Sequence, residues 1–413
     1  MQQKPICHFC KKNYSNEEMP LIAGDASFDG QRPLICAACI ELFAKGMNQE
    51  EHAAHPLPVD AKDFVIPQPR EIYDYLNRFV IGQDKTKKQL ALAVVNHYKR
   101  IKQKSIPTPD QFKNVLIEKS NILMIGSTGS GKTLMARMLA QKMNVPFAIG
   151  DATSLTESGY VGEDVENLLR KLLVNAEGDV ENTQRGIIYI DEIDKLRKTG
   201  GNVSITRDVG GEGVQQSLLK LIEGTTSSVP HNGGRKHPEQ QYITVDTTDI
   251  LFICGGSFGG LDDIVARRLG RGRIGFGEET SVRSDKTRNE LFAQVRDDDL
   301  EQFGMIPELI GRLPIISALA DLTLEDLIKI LSEPENAILK QYQKLVAMDQ
   351  KELFFTKEAQ ELIAKAAKEK GTGARALRSV VENCLDDLLF DLADAPKVVT
   401  VDADFINKKL KAA

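Results

Sequence analysis

Hydrophobic positions along this chain alternate between two patterns, and the alternation predicts an α/β fold. Runs of consecutive apolar residues are typical of strands buried in a parallel sheet. Between them lie stretches in which apolar residues return every three or four positions, which is typical of helices with one buried face. The runs predict strands over 115–125, 186–190, 250–254 and 398–401. The spaced pattern predicts helices over 71–79, 84–101, 214–222, 322–331 and 357–367.

The first predicted strand leads into a glycine-rich turn. Residues 126–133 read Gly-Ser-Thr-Gly-Ser-Gly-Lys-Thr, which is the spacing of a P-loop. Helical spacing begins directly afterwards at Leu134, so backbone N–H groups at a helix N-terminus can point at phosphate oxygens. Lys132 would place its charge near the β and γ phosphates, and the Thr133 hydroxyl would bind Mg²⁺. An ordinary glycine turn is the alternative, and the strand and helix on either side argue against it.

The predicted ATP site covers this loop and one earlier segment. Val80 and Ile81 stand just before Gly82, between two predicted helices. They can seat an adenine ring or pack in the core, and the spacing favours neither. The loop residues assigned to the nucleotide are Ser127, Thr128, Gly129, Ser130, Gly131, Lys132, Thr133 and Leu134.

Two carboxylates end the strand predicted over 186–190. Parallel strands bring their carboxyl ends to one edge of the sheet, so Asp191 can reach a Mg²⁺ ion beside Thr133. Glu192 can then orient an attacking water molecule. Without a P-loop the pair would be interpreted as a solvated acidic loop, but with one it predicts ATP hydrolysis.

Composition and charge restrict the class of protein. At 413 residues, two or three domains are expected, and 27% charged with 41% hydrophobic residues indicates a globular chain. The net charge of -6 argues against a general nucleic-acid surface. No apolar run approaches the roughly 20 residues that span a bilayer, and the polar N-terminus lacks a signal sequence. A cytoplasmic protein is expected.

Four of the six cysteines form two Cys-x₂-Cys pairs near the N-terminus. Four thiolates can bind a structural zinc ion tetrahedrally and leave no open position for catalysis. Redox chemistry is the competing interpretation, although no thioredoxin-like βαβ pattern surrounds the pairs. The predicted zinc ligands are Cys7, Cys10, Cys36 and Cys39.

Three further loops carry unusual residues. Tyr160 lies between glycines in 159–162, where an aromatic residue often packs back on the core. The run 231–238 concentrates positive charge, which is most often a solvated turn. Ile274 and Phe276 lie among glycines that favour neither helix nor strand, and if exposed they would form a docking knob.

In this set and order, the motifs resemble the ClpX family of AAA+ protein unfoldases, which feed the ClpP peptidase. The likeness runs through essentially the whole chain. It implies an ATP-binding homohexamer with an axial channel through which a polypeptide is pulled. It also implies a large AAA+ domain with a parallel sheet and flanking helices, a mainly helical small domain and an N-terminal zinc-binding domain. The corresponding boundaries are 1–50 for the zinc domain, 51–66 for a linker, 67–315 for the large domain and 316–413 for the small domain.

By the same resemblance, two arginines complete the ATP site. Arg312 looks like the arginine that reaches a neighbouring subunit's γ-phosphate, which ties hydrolysis to assembly. Arg375 looks like the small-domain arginine that contacts the same subunit's nucleotide. Structural salt bridges are the alternative for both side chains.

The remaining loops would contact proteins. The resemblance assigns one group to the pore that grips the substrate, one to the channel entrance that attracts negatively charged tags, and one to clefts of the peptidase ring. The pore residues are Tyr160, Val161 and Arg207; the entrance residues are Arg235, Lys236 and His237; and the docking residues are Ile274, Gly275 and Phe276.

Two departures from the family pattern stand out. Ser127 occupies a position where the family usually has proline, and its side chain is not expected to bind phosphate. The loop between the cysteine pairs is longer than usual, which bears on substrate or adaptor preference and not on the metal.

The sequence therefore predicts a chaperone-like ATPase that recognises tagged proteins, unfolds them and threads them into ClpP. A non-proteolytic scaffold whose assembly is controlled by ATP is one alternative, against which the intact catalytic residues argue. A nucleic-acid remodeller is another, against which the acidic net charge argues.

Overall fold

The computed structural model describes residues 21–23, 34–37, 39, 65–103, 106, 109–156, 163–198, 211–230, 242–270 and 285–412. The chain divides into two compact units, Met1–Phe64 and Val65–Ala413. In the first unit, strands β1 (Leu21–Ala23) and β2 (Leu34–Cys36) form an antiparallel pair in which Leu21 lies opposite Cys36. Across the described ranges, no helix is long and apolar enough to cross a membrane.

The second unit begins with helices and a parallel sheet. In chain order its first elements are α1 (Pro69–Asn77), α2 (Asp84–Ile101), β3 (Ile122–Ile125), α3 (Lys132–Met143), β4 (Phe147–Asp151), β5 (Leu155–Thr156), β6 (Glu163–Asp164), α4 (Asn167–Asn175), α5 (Val180–Thr183), β7 (Ile187–Asp191) and α6 (Glu212–Glu223). There follow β8 (Thr226–Pro230), β9 (Tyr242–Asp246), β10 (Leu251–Gly256), α7 (Leu261–Arg268), α8 (Asp285–Phe292), α9 (Asp297–Phe303), α10 (Pro307–Gly311) and β11 (Ile315–Ala318).

The second unit ends with a mainly helical region. Its elements are α11 (Leu324–Ser332), α12 (Ile338–Met348), β12 (Glu352–Phe355), α13 (Lys357–Glu369), α14 (Ala374–Phe390), β13 (Val398–Val401) and α15 (Ala403–Ala412). Helix α2 and strand β13 have the predicted bounds. Strand β12 was not predicted; it pairs in parallel with β13, with Glu352 opposite Val398.

Five strands form a parallel sheet in the order β11-β3-β10-β7-β4. Every residue of β3 and β10 is buried, which confirms the prediction of parallel strands covered on both faces. Because β3, β7 and β10 are adjacent and run in the same direction, the residues that follow Ile125, Ile190 and Gly256 meet at one edge. This edge carries the P-loop and the two carboxylates.

The prediction of a strand over 115–125 was wrong in its first part. Strand β3 begins only at Ile122, and the preceding Leu116 is 81% exposed. Asn121 explains the late start, because its side-chain amide forms hydrogen bonds with the backbone of the two neighbouring segments. Its Nδ2 donates to the carbonyl of Arg312 at 3.0 Å, and its Oδ1 accepts from the Phe252 N–H at 3.2 Å. The sheet neighbours provide backbone partners for β3 only from Ile122 onward.

Two separate hydrophobic clusters lie in this second unit. The sheet core is the cluster that alternate residues of the parallel sheet form with helices α4 and α6–α10, with members from Leu123 to Leu313. The C-terminal core is the cluster formed by α11–α15 and the β12–β13 pair, with members from Leu327 to Ile406. Cys254 lies in the first and Cys384 in the second, so both are buried apolar residues as predicted.

Candidate nucleotide site

The P-loop joins β3 to α3 at the carboxyl edge of the sheet. Gly129 and Gly131 have φ angles of +80° and +103°, which side chains rarely adopt, so the turn requires glycine at both positions. A Cβ atom on Gly131 would meet nothing within 4 Å, so the space beside this residue is open. Helix α3 begins at Lys132, and its free N–H groups lie where an anion would be stabilised.

Lys132 is buried, and its ammonium group donates hydrogen bonds to two backbone carbonyls. Its Nζ donates to the carbonyls of Gly126 at 2.6 Å and Ser127 at 3.0 Å. Burial lowers the pKa of Lys132, an effect that Asp191 and Asp194 oppose and Arg375 reinforces. An ammonium group in this position would gain from an added anion, since neutral carbonyls compensate its charge only partly.

The Asp191 carboxylate, at the end of β7, accepts three hydrogen bonds. The Thr133 hydroxyl donates to Oδ2 at 3.2 Å, and the Tyr189 hydroxyl donates to Oδ1 at 3.1 Å. The N–H of Glu192 also donates to Oδ1, at 3.0 Å. Burial, with the nearby charge of Asp191, raises the pKa of Tyr189, so its hydroxyl remains a donor. The arrangement places a hydroxyl and a carboxylate side by side, which is the oxygen chemistry that Mg²⁺ prefers.

Glu192 stands next to Asp191 with an exposed side chain. Its φ angle of 57° is left-handed, an uncommon conformation for a residue with a side chain. Such strain is frequent at functional sites, where the surrounding structure imposes it. Here the bond from the Glu192 N–H to Asp191 fixes the turn.

These groups line one cavity of about 460 Å³. The cavity contains most of the predicted nucleotide residues, and α14 of the C-terminal core forms part of its wall with Arg375. The predicted residues that line it are Thr128, Gly129, Gly131, Lys132, Thr133, Leu134, Asp191, Glu192 and Arg375.

Five lining residues were not predicted, and one of them is Ala374, which directly precedes Arg375 on α14. Arg378 follows Arg375 by one helical turn, so the spacing on α14 could have revealed it. Ser257 is held by the buried Asp194, whose carboxylate accepts from the Ser257 hydroxyl at 3.0 Å and from its N–H at 3.1 Å. Lys195 and Ile338 also line the cavity, and no local sequence signal indicates them.

The C-terminal core touches the P-loop through two glycines. The N–H of Ala374 donates to the carbonyl of Gly129 at 3.4 Å. A Cβ atom on Gly129 would clash with the carbonyl oxygen of Thr372, and one on Gly373 would lie 2.7 Å from that of Thr128. Both glycines are therefore required for the backbones to approach this closely, and the approach holds Arg375 beside the loop.

Four predicted nucleotide residues do not line the cavity. Val80 is buried and Ile81 is partly buried. Ser127 contributes its carbonyl to Lys132. The Ser130 hydroxyl is buried beside Gly126 and has no hydrogen-bond partner among the described residues.

Arg312 also lies outside the cavity. Its Nε donates to Glu223 at 2.9 Å, and its side chain is 55% exposed. An exposed ion pair contributes little to stability, so the guanidinium can exchange this partner for another at low cost.

Several predicted site residues fall outside the described ranges. Cys36 and Cys39 are buried, and the described residues contain no group of three or more His, Cys, Asp or Glu side chains able to hold a metal ion. The predicted residues outside the described ranges are Cys7, Cys10, Tyr160, Val161, Arg207, Arg235, Lys236, His237, Ile274, Gly275 and Phe276.

The donor set fits a magnesium nucleotide. The cavity combines N–H groups at a helix start, a buried ammonium, two arginines and a hydroxyl–carboxylate pair. Cationic and N–H donors match the phosphate oxygens, and the oxygen pair matches the metal. The glycine at 131 leaves room beside the loop.

Comparisons with known proteins agree with this site. A profile of the AAA domain (Cdc48 subfamily) matches residues 117–316, and a profile of the C-terminal, D2-small domain, of ClpB protein matches residues 322–401. The chain is 51% identical over 405 residues to the ATP-dependent Clp protease ATP-binding subunit ClpX of Treponema denticola, an alignment that covers 98% of this chain and 93% of that protein. It is 47% identical over 397 residues to the protein of the same name from Borrelia duttonii, with 96% and 89% covered. The chain is therefore an ATPase that belongs to the ClpX family.

Proposed function

We propose that this chain is the ATP-driven unfoldase and translocase of a Clp protease, passing tagged proteins to the ClpP peptidase. One observation carries the proposal: the nucleotide cavity is built from both cores, with Arg375 of the C-terminal core facing the P-loop. A site shared in this way links nucleotide binding to the relative position of the two cores. The protease in this proposal is taken from the names of the relatives, which are ATP-binding subunits of the ATP-dependent Clp protease.

Each residue of the cavity has a distinct role in this proposal. Bound Mg-ATP would supply the phosphoryl group whose transfer to water releases free energy. Lys132 would exchange its carbonyl partners for phosphate oxygens, and Thr133 with Asp191 would hold the metal. Glu192 would orient water and accept its proton. Arg375 would respond to the charge on the phosphates and so sense the state of the nucleotide.

Movement of the C-terminal core would follow from the contact between Gly129 and Gly373. This contact joins the backbone of the P-loop to the start of α14. Any shift of the loop on hydrolysis would move α14 directly, since no flexible side chain intervenes. Repeated shifts in a ring of six copies would drive a substrate through the central channel.

The loops that would touch other proteins complete the proposal as the resemblance assigned them. Tyr160 and Val161, with Arg207, would grip the substrate, and the run 235–237 would attract its tag. The Ile274–Gly275–Phe276 stretch would dock on the peptidase. We further propose a cytoplasmic location and a zinc domain that recruits adaptors.

Unfolding of a tagged reporter tests the function. A stably folded, degron-tagged fluorescent protein should lose fluorescence in the presence of the chain, the peptidase and ATP. The Tyr160→Ala variant should hydrolyse ATP but unfold the reporter about tenfold more slowly, because loss of a large aromatic contact with the substrate costs about 1.4 kcal/mol. Steady hydrolysis by an assembled wild-type ring without any loss of fluorescence would contradict the proposal.

Mixed rings test whether Arg312 acts on a neighbouring site. Arg312→Ala and Glu192→Gln should each be nearly inactive alone. When they are mixed in equal amounts, about a quarter of the sites combine an intact Glu192 with an Arg312 from the adjacent copy, so hydrolysis should recover to about that fraction. If Arg312 served its own subunit, or only the ion pair with Glu223, mixing would restore nothing. Assembly of the mixed rings is verified by their size.

Zinc binding by the four N-terminal cysteines is a separate proposal, supported by their paired spacing and by the burial of Cys36 and Cys39. The purified chain should contain about one zinc ion, and Cys36→Ser should lose it, since structural sites use four ligands. Cys384→Ser, which changes a cysteine of the C-terminal core, is the matched control and should retain the metal. Equal zinc content in both variants would count against the site.

A further inference from the structure

A groove runs along one edge of the five-stranded parallel sheet. Strand β4 is the last in the strand order, with β7 on one side and no described strand on the other. Helices α3 and α4 border this edge, and the space between them has a volume of about 570 Å³. We call it the β4 groove. It shares no lining residue with the nucleotide cavity, so it is a separate site.

The backbone of β4 presents hydrogen-bonding groups to this groove. Alternate residues of a strand in a parallel sheet direct their N–H and carbonyl groups to opposite sides. The Ile187 N–H donates to the carbonyl of Pro146 at 2.9 Å, which sets the alternation between β7 and β4. The backbone groups of Phe147, Ile149 and Asp151 therefore point away from β7, toward the free edge.

Two of these three residues already have a partner for their carbonyl. Nδ2 of Asn175 donates to the carbonyl of Phe147 at 2.8 Å, and the Ser154 hydroxyl donates to the carbonyl of Asp151 at 2.9 Å. For Ile149, no such partner comes from any part of the chain that the structure describes. Ile149 can therefore pair with an added strand through its N–H and its carbonyl, as sheet edges do when they bind extended peptides.

One side of the groove is apolar. A Cβ atom on Gly150 would clash with Leu168 of α4, so this position of β4 faces α4. Because successive side chains of a strand point to opposite faces, Phe147 and Ile149 direct theirs to the other face of the sheet. Both are partly buried and line the groove. An apolar side chain of an added strand would find contacts on this face.

The side of the groove formed by α4 is cationic. Arg170 and Lys171 line it and are partly buried, and Arg170 is oriented by a bond from its Nε to Oδ1 of Asn167 at 2.7 Å. Arg137 of α3 adds a third positive charge at the rim. Among the described residues that line the groove there is no carboxylate. In a chain whose net charge is -6, this local concentration of positive charge would attract an acidic ligand.

We propose that the β4 groove binds an extended segment of a partner protein in which acidic and apolar residues alternate. The acidic side chains would meet Arg170 and Lys171, and the apolar ones would pack beside Phe147 and Ile149. The backbone of the segment would pair with Ile149. Since only this residue offers an open pair of backbone groups, the side chains on the two faces would provide most of the affinity. The inference does not depend on the proposed function.

Binding of a fluorescent peptide tests the cationic side of the groove. The probe has about ten residues, alternating glutamate and valine, and its binding to the full chain is followed by fluorescence anisotropy. In the double variant Arg170→Glu/Lys171→Glu the affinity should fall at least about tenfold, because two attractive charge pairs become repulsive. ATP hydrolysis by this variant should be unchanged, since neither residue lines the nucleotide cavity, and it verifies that the chain is folded.

A matched variant controls for net charge. Lys344→Glu/Lys365→Glu makes the same change in charge at two exposed positions on α12 and α13 of the C-terminal core, outside the groove. It should bind the peptide like the wild type. A peptide that alternates lysine and valine should not bind the wild-type chain, because its charges would face Arg170 and Lys171.

Pairing with the edge of the sheet is tested by two further measurements. A peptide of the same sequence with N-methylated backbone amides keeps its charges but cannot donate to the carbonyl of Ile149, and it should bind at least about tenfold more weakly. Hydrogen exchange at the Ile149 amide should slow when the unmodified peptide binds, because the amide gains a partner.

Equal affinity of the wild type and Arg170→Glu/Lys171→Glu would overturn the inference, as would unchanged exchange at Ile149. Loss of binding in Arg235→Ala alone would overturn it too, since the peptide would then occupy the proposed channel entrance. A single-stranded oligonucleotide that displaced the peptide and bound more tightly would make the ligand a nucleic acid and not a protein. A chain that binds the peptide in the groove but never unfolds a tagged reporter would contradict only the proposed function.

Discussion

The Glu192→Gln variant is expected to bind ATP as the wild type does and to hydrolyse it about 10²- to 10⁴-fold more slowly, the usual contribution of a positioned general base. Glutamine has the shape of glutamate but cannot accept the proton of an attacking water. The substitution spares the metal side of the site, because Glu192 contacts Asp191 through its backbone N–H. Binding of a fluorescent ATP analogue and release of phosphate measure the two effects separately.

Glu177→Gln provides a matched control for this experiment. Glu177 is also exposed and also has a left-handed backbone, with φ 56°, but it does not line the cavity. Its replacement should change neither binding nor hydrolysis. If Glu192→Gln hydrolysed ATP at the wild-type rate, the general base would have to be another residue of the cavity.

The Gly373→Ala variant is expected to lower ATP hydrolysis by at least about tenfold by separating the C-terminal core from the P-loop. The added Cβ would lie 2.7 Å from the carbonyl oxygen of Thr128, an atom of the backbone that cannot turn aside. The φ of +59° adds strain, and such conflicts cost on the order of 1–3 kcal/mol each. The closed arrangement that brings Arg375 to the phosphates would then be populated less, which ATP affinity and hydrolysis rate both report.

Gly371→Ala isolates the steric part of this effect. Gly371 also has a positive φ, +68°, but a Cβ atom there would meet nothing within 4 Å. It also introduces a side chain at a positive φ but without the clash, so it should keep most of the hydrolysis rate. Equal losses in the two variants would show that contact with Thr128 does not control the site.

Local sequence patterns were sufficient to predict the features that depend on residues close together in the chain. Helix α2 has its predicted bounds because helical periodicity is a property of the segment itself. The P-loop spacing placed Lys132 and Thr133 at a strand-to-helix turn, and the order of apolar runs placed Asp191 at the same edge of the sheet. The α/β fold class and the positions of these three residues at one edge of the sheet were therefore predictable.

Long-range contacts explain the parts that the sequence did not reveal. Strand β3 is shorter than its apolar run because the paired residues of β10 and β11 begin opposite Ile122. These two strands are far from β3 in the sequence. Ser257 enters the cavity through the buried Asp194. The local sequence around β3 and around Ser257 contains no signal for either contact.

By itself, the sequence determined the α/β class, the phosphate loop and its carboxylate partners, because these follow from short-range periodicity and from motif spacing. Only the tertiary structure decided that the C-terminal core closes the nucleotide cavity and that Gly129 and Gly373 lie in contact. The physical reason is that each of these contacts joins residues more than 200 positions apart. Such contacts depend on how two separately packed cores are oriented, and no local pattern of hydrophobic and polar residues encodes that orientation.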